Sequence, residues 1–357
     1  MPYINGQFFS RQDLLRRTGN IRQLAGVRSS EILLGKSGGI KIFDVTSNQL
    51  RFTSMESRNL DLIDLSYKGM PINFLSKAGP VCNAIADPVG INFLRSVTGG
   101  MIYTCGFSNV GAQYEDENGV DYFHGRQRFL PAENISIIEK WEGDDYIVGV
   151  GGEMRDNGLF RENLVLRRRI TTKLGTKTVN VEDEIENESF QEAPFMIMYH
   201  VNVGFPILQQ GTKVFIPSKK VIPMGDFSKK ELENWGTVID PVDGMPETVF
   251  VHEIQADADG YSYAGEYNEK LGLGVCVRTR AENLPYMVEW RSMGSSDYVL
   301  GIQPANCHAS GRKYEMENGE VQHIKPFEKK QAGLQLTILD GKEDYEQFLA
   351  KFKGCKI

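Results

Sequence analysis

A histidine and an asparagine interrupt one face of an otherwise apolar stretch, FMIMYHVNVGFP, at residues 195–206. The stretch reads as a buried strand, on which side chains two positions apart share a face, so His200 and Asn202 lie together. Gly204 and Pro206 then end the strand. The unperturbed pKa of histidine, about 6.5, suits proton transfer near neutrality. A ligand site at the strand end and a hydrogen-bonded core histidine are both open interpretations.

A second polar group lies in the segment FHGRQRFLPAEN, which contains His124, Gly125 and Arg126. A turn signal, Asn118-Gly119, precedes it. Such a loop end brings two polar side chains and a flexible backbone to one point, which suits ligand binding. The alternative is a turn glycine beside a surface arginine.

The third group lies in YMVEWRSMGSSDYVLGIQPANCHASGR, where two strands flank the turn MGSS and predict a hairpin. Glu289 and Trp290 offer a carboxylate next to a stacking face, a combination that suits sugars. An exposed strand charge beside a packed tryptophan is the alternative. Gln303 and Arg312 follow in or just beyond the second strand.

Other common kinds of site are not indicated. Gly35-Lys36-Ser37 lacks the earlier glycine of a phosphate-binding loop, because Ser30 occupies that position. The five histidines show no pairing at two or four residues, and the cysteines form no CxxC pair, so no metal site is predicted. No serine lies in a GxSxG sequence.

Composition limits the partners and the compartment. The 357-residue chain has 40 basic and 47 acidic residues and a net charge of −7, so neither nucleic acid nor a membrane surface is an expected partner. The first 20 residues show no signal peptide, and no apolar run approaches the ~18 residues of a membrane span. Five scattered cysteines favour a reducing, cytoplasmic setting.

The elements that position these groups read mostly as short alternating strands separated by glycine-rich turns. Three helices are predicted, near Ser10, in FSKKELENW with a capping box from Ser228 to Glu231, and in EDYEQFLAKFKG ending at Gly354. Three consecutive arginines at residues 167–169 lie in a predicted strand, and their side chains are expected to alternate toward solvent. A large all-β antiparallel sandwich follows, with residues 1–38 as an N-terminal extension and 39–357 as one domain.

The order of five segments resembles the galactose mutarotase-like superfamily, and within it an aldose 1-epimerase branch long carried as a domain of unknown function. The resemblance covers roughly residues 40–335 and rests on ESRNLDL, TCGFSNVGAQYEDENGVDYFHGRQRFLPA, GLFRENLVLRRRITTKLG, MYHVNVGFPIL and SSDYVLGIQPANCHASGR. It implies a large antiparallel β-supersandwich with a sugar on its concave face. It also implies interconversion of the anomers of a free aldose, without a cofactor.

The resemblance assigns roles to residues of this chain. His200 would be the acid that faces the ring oxygen, and Asn202 a second sugar contact. His124 would orient the sugar, with Arg126 beside it. Arg58 and Asp61 are the weaker candidates, at the rim of the cleft.

The chain departs from the family pattern at the base. Gln303 stands where the pattern has a glutamate, and an amide can hydrogen-bond the anomeric hydroxyl but cannot hold its proton. Glu289 is the substitute base suggested by the hairpin. Three functions stay open: a mutarotase, a carbohydrate-binding protein without catalysis, and an epimerase or isomerase of a modified or phosphorylated sugar, in which Arg126, Arg128 or Arg312 would bind an anionic group. An exposed sheet edge could also pair two copies into a homodimer.

Overall fold

Strands make up most of the fold in the computed structural model, which describes residues 1–117 and 119–351. In chain order the strands of these residues are β1 (Tyr3–Ile4), β2 (Gln7–Phe8), β3 (Ala25–Ile32), β4 (Ile40–Ser47), β5 (Leu50–Met55), β6 (Asp61–Tyr67), β7 (Met70–Pro71), β8 (Ile102–Phe107), β9 (Tyr114–Asp116), β10 (Gly119–Asp121), β11 (Glu133–Glu142), β12 (Asp145–Asn157), β13 (Asn163–Lys173), β14 (Thr178–Asn187), β15 (Ala193–Pro194), β16 (Met196–Val203), β17 (Lys213–Phe215), β18 (Ser218–Met224), β19 (Thr248–Ile254), β20 (Tyr261–Asn268), β21 (Leu273–Arg280), β22 (Tyr286–Gly294), β23 (Asp297–Ala305), β24 (His323–Ile324) and β25 (Lys329–Asp340). The α-helices are α1 (Arg11–Arg17), α2 (Gly225–Lys230), α3 (Arg312–Glu317) and α4 (Lys342–Ala350).

Three large antiparallel sheets form the body of the protein, as the predicted all-β supersandwich requires. One has five strands in the order β3-β4-β5-β6-β7, and one has eight in the order β11-β12-β13-β14-β25-β21-β20-β17. The third has six strands in the order β18-β19-β22-β23-β16-β8. The hairpin predicted around the MGSS turn is confirmed, since β22 and β23 pair along their whole length.

The N-terminal segment contributes to a sheet. The boundary predicted at residue 38 falls between β3 and β4, which pair in register from Ala25↔Ser47 to Ile32↔Ile40. Residues 1–38 therefore supply an edge strand as well as a helix. The predicted turn at Asn118-Gly119 falls between the paired strands β9 and β10, and Asn118 itself lies outside the described residues.

The predicted helices are present, with one error in capping. The Ser10 hydroxyl accepts the Asp13 N–H at 3.1 Å and caps α1. Ser228 lies inside α2 rather than before it, and its hydroxyl accepts the Val249 N–H at 2.9 Å, so the predicted capping box is wrong. The last helix ends at Ala350, and Gly354 lies outside the described residues.

Alternation along β16 separates two hydrophobic clusters. Ile197, Tyr199 and Val201 point into the main core between the sheets. Met196 and Met198 point to the other face and join a smaller cluster. Burying one such aliphatic side chain contributes about 1.5–3 kcal/mol, so the strand is fixed from both sides.

A buried ion network joins the three sheets. The Arg168 guanidinium on β13 donates to Asp61 on β6 at 2.8 Å and to Asp183 on β14 at 2.6 Å. The Tyr199 hydroxyl on β16 also donates to Asp183, at 2.6 Å. Arg168 is buried, so the expectation that all three arginines of 167–169 alternate toward solvent is wrong at the middle position. Its partners lie far away in sequence and compensate its charge.

Candidate functional site

A row of side chains crosses the six-stranded sheet on the face opposite the main core. Tyr103 on β8 pairs with His200 on β16. Gln303 on β23 follows, and it pairs with Val288 on β22. We call this surface the His200 face. It is produced by the period-2 alternation of four neighbouring strands whose registers coincide.

Hydrogen bonds on both ring nitrogens fix the state of His200. Nδ1 lies 2.5 Å from the Asn202 Oδ1, whose own amide donates to the carbonyls of Gly100 and His200. Because the Asn202 Oδ1 can only accept, the ring proton belongs on Nδ1. The Gln303 amide then donates to Nε2 at 3.0 Å. Burial lowers the pKa of His200 to about 4, so the ring is neutral at pH 7 and Nε2 carries a lone pair.

His124 reaches the same place from a tightly held turn. Its backbone has φ of 61°, and the following Gly125 has φ of 75° and lies against the Gly106 carbonyl, which leaves no room for a Cβ. The Gly111 N–H donates to His124 Nδ1 at 3.1 Å, so the ring proton belongs on Nε2. The ring centroids of His124 and His200 are 6.1 Å apart.

The two imidazoles therefore have opposite tautomers. His200 presents an acceptor at Nε2, and His124 presents a donor at Nε2. Burial, together with His200 and Arg128, holds the pKa of His124 well below its usual range. Both rings are neutral near pH 7, so the pair can bind a group that both donates and accepts, such as a hemiacetal.

Trp290 and Gly301 shape the space beside His200. The indole ring lies 5.2 Å from the His200 ring between centroids, and its N–H donates to Glu247 at 2.6 Å. Gly301 pairs with both Trp290 and Asn202. A Cβ on Gly301 would lie 2.6 Å from the Gln303 amide nitrogen, so the glycine leaves room for that amide.

Tyr103 of this site was not found from the sequence, and Arg128 was considered only as a partner for a phosphate group. Tyr103 lies at the edge of the His200 ring, with 6.2 Å between centroids. Arg128 donates to the Tyr103 hydroxyl at 3.3 Å and to the Gly125 carbonyl at 3.2 Å. Arg128 follows His124 by four residues, and that proximity is the signal that could have indicated it. Its buried position depends on contacts that the local sequence does not encode.

Glu289 does not join the site. It pairs with Ile302 on β23 and with Phe250 on β19, so its side chain points to the core, opposite to Trp290. It is 0 % exposed, and the His252 Nε2 lies 3.2 Å from its carboxylate. Burial raises the pKa of Glu289. The register therefore corrects the prediction of Glu289 as the base beside His200.

The two rim candidates are also buried inside the protein. Arg58 is 2 % exposed, donates to the carbonyls of Arg128 and Val81, and stacks on Phe129 at 4.6 Å. Asp61 accepts from Thr104 and belongs to the buried ion network with Arg168. Neither side chain lies at the edge of the His200 face, because both are bound inside the protein by residues distant in sequence.

Of the three arginines considered for a phosphate, Arg126 and Arg312 lie elsewhere. Arg126 is exposed and its Nε lies 3.4 Å from Asp156, whereas Arg312 pairs with Asp116 and Asp121 at 3.0 and 2.8 Å. The structure thus brings together His200, His124, Asn202 and Gln303, and it separates Arg126 from them in a different cavity.

One group of the described residues has atoms close enough to hold a metal ion. His308, Glu315 and Glu320 place their ligand atoms within 4.8 Å of one another. The His308 Nδ1 lies 3.2 Å from Glu315 and 3.1 Å from Glu320, and hydrogen bonding to Glu315 raises the pKa of His308. Both carboxylates thus lie against the same ring nitrogen of His308.

Comparison with known proteins identifies the family of this chain. Residues 37–338 match the family described as a domain of unknown function, DUF4432. The chain belongs to the DUF4432 family. No curated protein matches this DUF4432 protein.

Solved structures show the same fold. A candidate aldose 1-epimerase from Klebsiella pneumoniae is 22 % identical, with a TM-score of 0.87, over 92 % of this chain and 88 % of that chain. A galactose mutarotase-like protein from Clostridium acetobutylicum is 14 % identical, with a TM-score of 0.58, over 89 % of this chain and 99 % of that one. The galactose 1-epimerase of Lactobacillus acidophilus is 12 % identical, with a TM-score of 0.57, over the same shares of 89 % and 99 %. The predicted galactose mutarotase-like supersandwich is therefore confirmed. Among residues 1–117 and 119–351, no helix combines the length and apolar character needed to cross a membrane.

Proposed function

We propose that this DUF4432 protein binds a free aldose in the cytoplasm at the His200 face and interconverts its anomers. The observation that supports this is the pair of neutral imidazoles with opposite tautomers. His200 offers an acceptor and His124 a donor, and the rings are close enough for one hemiacetal group to contact both. The likeness of the fold to aldose 1-epimerases agrees with this chemistry.

In the proposed reaction His200 is the proton carrier. Ring opening transfers the O1 proton of the sugar to His200 Nε2 while the C1–O1 double bond forms and the C1–O5 bond breaks. The developing charge on O5 accepts the His124 hydrogen bond and then takes the proton from the His200 imidazolium. Rotation about C1–C2 and the reverse transfers close the other anomer. His200 thus acts as acid only after it has acted as base.

Gln303 supports a second candidate, a sugar-binding protein without useful turnover. Its amide already donates to His200 Nε2, so a sugar hydroxyl must displace that bond before it can pass on a proton. A missing general base typically slows a reaction ~10²–10⁴-fold. In this candidate the same side chains would hold the sugar by hydrogen bonds and by contact with Trp290.

Magnetisation-transfer NMR on a panel of free aldoses tests the proposal. Wild-type protein should accelerate anomer exchange on at least one sugar, and His200→Gln should lower that acceleration ~10²-fold or more. His323→Gln is the matched control, because His323 is exposed on β24, which belongs to a separate two-stranded sheet with β15. Line broadening of a sugar that shows no accelerated exchange would instead identify the binding protein.

A further inference from the structure

A cavity lies apart from the His200 face. It has a volume of about 780 Å³, within the range of roughly 300–1,000 Å³ that small-molecule sites occupy. The turn between β12 and β13 lines it, together with the segment from β14 to β15 and strand β10. Among the described residues that line it, none belongs to the group of His200, His124, Gln303 and Trp290.

A buried carboxyl group lines this cavity with one oxygen unused. Asp156 is 1 % exposed, and its Oδ1 lies 3.4 Å from the Arg126 Nε. Its Oδ2 has no hydrogen-bond partner among the residues that the structure describes. Buried polar atoms of native proteins are nearly always paired, so this oxygen is available to a donor from outside the chain. Burial and the nearby Glu162 raise the pKa of Asp156 to about 7.

Two exposed aromatic rings line the same cavity. Phe160 is 96 % exposed and Phe190 is 85 % exposed. Phe160 also has φ of 59°, a backbone conformation that is strained for a bulky residue. Phe190 packs edge-on against Phe327 at 5.2 Å between centroids. Exposed apolar rings that line a cavity are typical of a binding surface.

The charge of the lining disfavours an anionic ligand. Six carboxylates and three arginines line the cavity. Arg312 is held by Asp116 and Asp121, and Arg126 by Asp156. The excess of carboxylates disfavours phosphates and acidic sugars, whereas hydroxyl groups donate to carboxylates readily.

We propose that this cavity is a second saccharide-binding site, which takes a neutral sugar. Phe160 and Phe190 pack against the C–H face of a pyranose, the Asp156 Oδ2 accepts one of its hydroxyl protons, and Arg126 donates to a neighbouring oxygen. The site binds whether or not the His200 face turns over its own sugar, so the two proposals stand or fall separately.

Saturation-transfer NMR titrations with galactose, glucose, maltose and lactose test this site, with gluconate as the anionic probe. Phe160→Ala/Phe190→Ala and Asp156→Asn should each weaken binding at the second site about tenfold or more. Phe8→Ala is the control for loss of an exposed ring, since Phe8 lies outside the cavity lining. Thermal unfolding of each variant shows that the fold is kept.

Comparison with the double variant His200→Ala/Trp290→Ala separates the two sites. We expect that variant to retain saturable binding of a neutral sugar, and adding Phe160→Ala and Phe190→Ala to it should weaken that remaining binding about tenfold or more. If the His200→Ala/Trp290→Ala variant loses all binding, the second site is refuted and the His200 face keeps its role. Tight gluconate binding, unchanged affinity in both cavity variants, or no binding of any of the four neutral sugars also refutes the second site.

Discussion

Replacing Gln303 by glutamate should convert the His200 face into a faster catalyst. The new carboxylate would stand where the Gln303 amide now lies 3.0 Å from the His200 Nε2. It would supply the base that the amide cannot provide, and it would favour protonation of His200. The variant therefore restores an acid and a base on neighbouring strands with a change of one functional group.

The distance gives the size of the effect. Two charges about 4 Å apart, at an effective dielectric constant of about 20, attract by about 4 kcal/mol, which corresponds to about three pKa units. The pKa of His200, now about 4, should thus rise towards neutrality. Gln303 is 1 % exposed, so burial of the new carboxylate reduces the gain. A recovered general base should accelerate anomer exchange ~10²–10⁴-fold.

Magnetisation-transfer NMR gives the exchange rate, and nitrogen chemical shifts of the imidazole give the protonation of His200. Gln23→Glu serves as the control, because it adds the same charge at an exposed residue. The reasoning fails if Gln303→Glu still binds the sugar but exchanges its anomers no faster than wild type. It fails equally if His200 still titrates near its wild-type pKa.

Three further predictions follow from the buried groups. The pKa of His200 falls from 6.5 to about 4 on folding, so between these pH values the unfolded chain binds a proton that the folded chain does not. The unfolding free energy of wild type should therefore decrease by about 3 kcal/mol relative to that of His200→Gln from pH 7 to pH 4. A difference between the two proteins that stays constant with pH in urea titrations would contradict this. Arg168→Met leaves two buried carboxylates unpaired and should lower the unfolding free energy by about 3–5 kcal/mol, whereas Arg169→Met, at an exposed pair, should change it by less than about 1 kcal/mol. Trp290→Ala should weaken sugar binding about tenfold in the same NMR titrations. Glu289→Gln, on the opposite face of the strand, should leave the anomer exchange rate unchanged. A large decrease of that rate in Glu289→Gln would refute the assignment of Glu289 to the core face.

The parts of the site predicted from sequence are those that depend on one strand. Alternation alone puts His200 and Asn202 on one face, and the structure adds the hydrogen bond between them. The hairpin was equally local, since both strands and their turn are contiguous. Glu289 was different, because the face of a residue on a paired strand depends on register, and a shift of one residue reverses it.

Buried charges were the second limit. Arg58 and Asp61 are polar residues near a strand end, a pattern that sequence assigns to the surface. Asp61 is buried because Arg168, 107 positions later, lies 2.8 Å from it. Arg126 follows His124 by two residues, yet it pairs with Asp156 in another cavity. Such partners come from distant strands, and a single sequence contains no local signal for them.

The alternation of β16 restricts how this protein can change in evolution. Odd-numbered residues such as Tyr199 anchor the strand to the ion network, while the even-numbered His200 lies on the face proposed to bind a sugar. Substitution at position 200 can therefore alter ligand preference and leave the main core intact, whereas Met196 and Met198 on the same face are buried. Insertion or deletion of one residue within β16 would exchange the two sets, burying the imidazole and exposing the tyrosine. The strand should tolerate a new side chain at position 200 and no change of length.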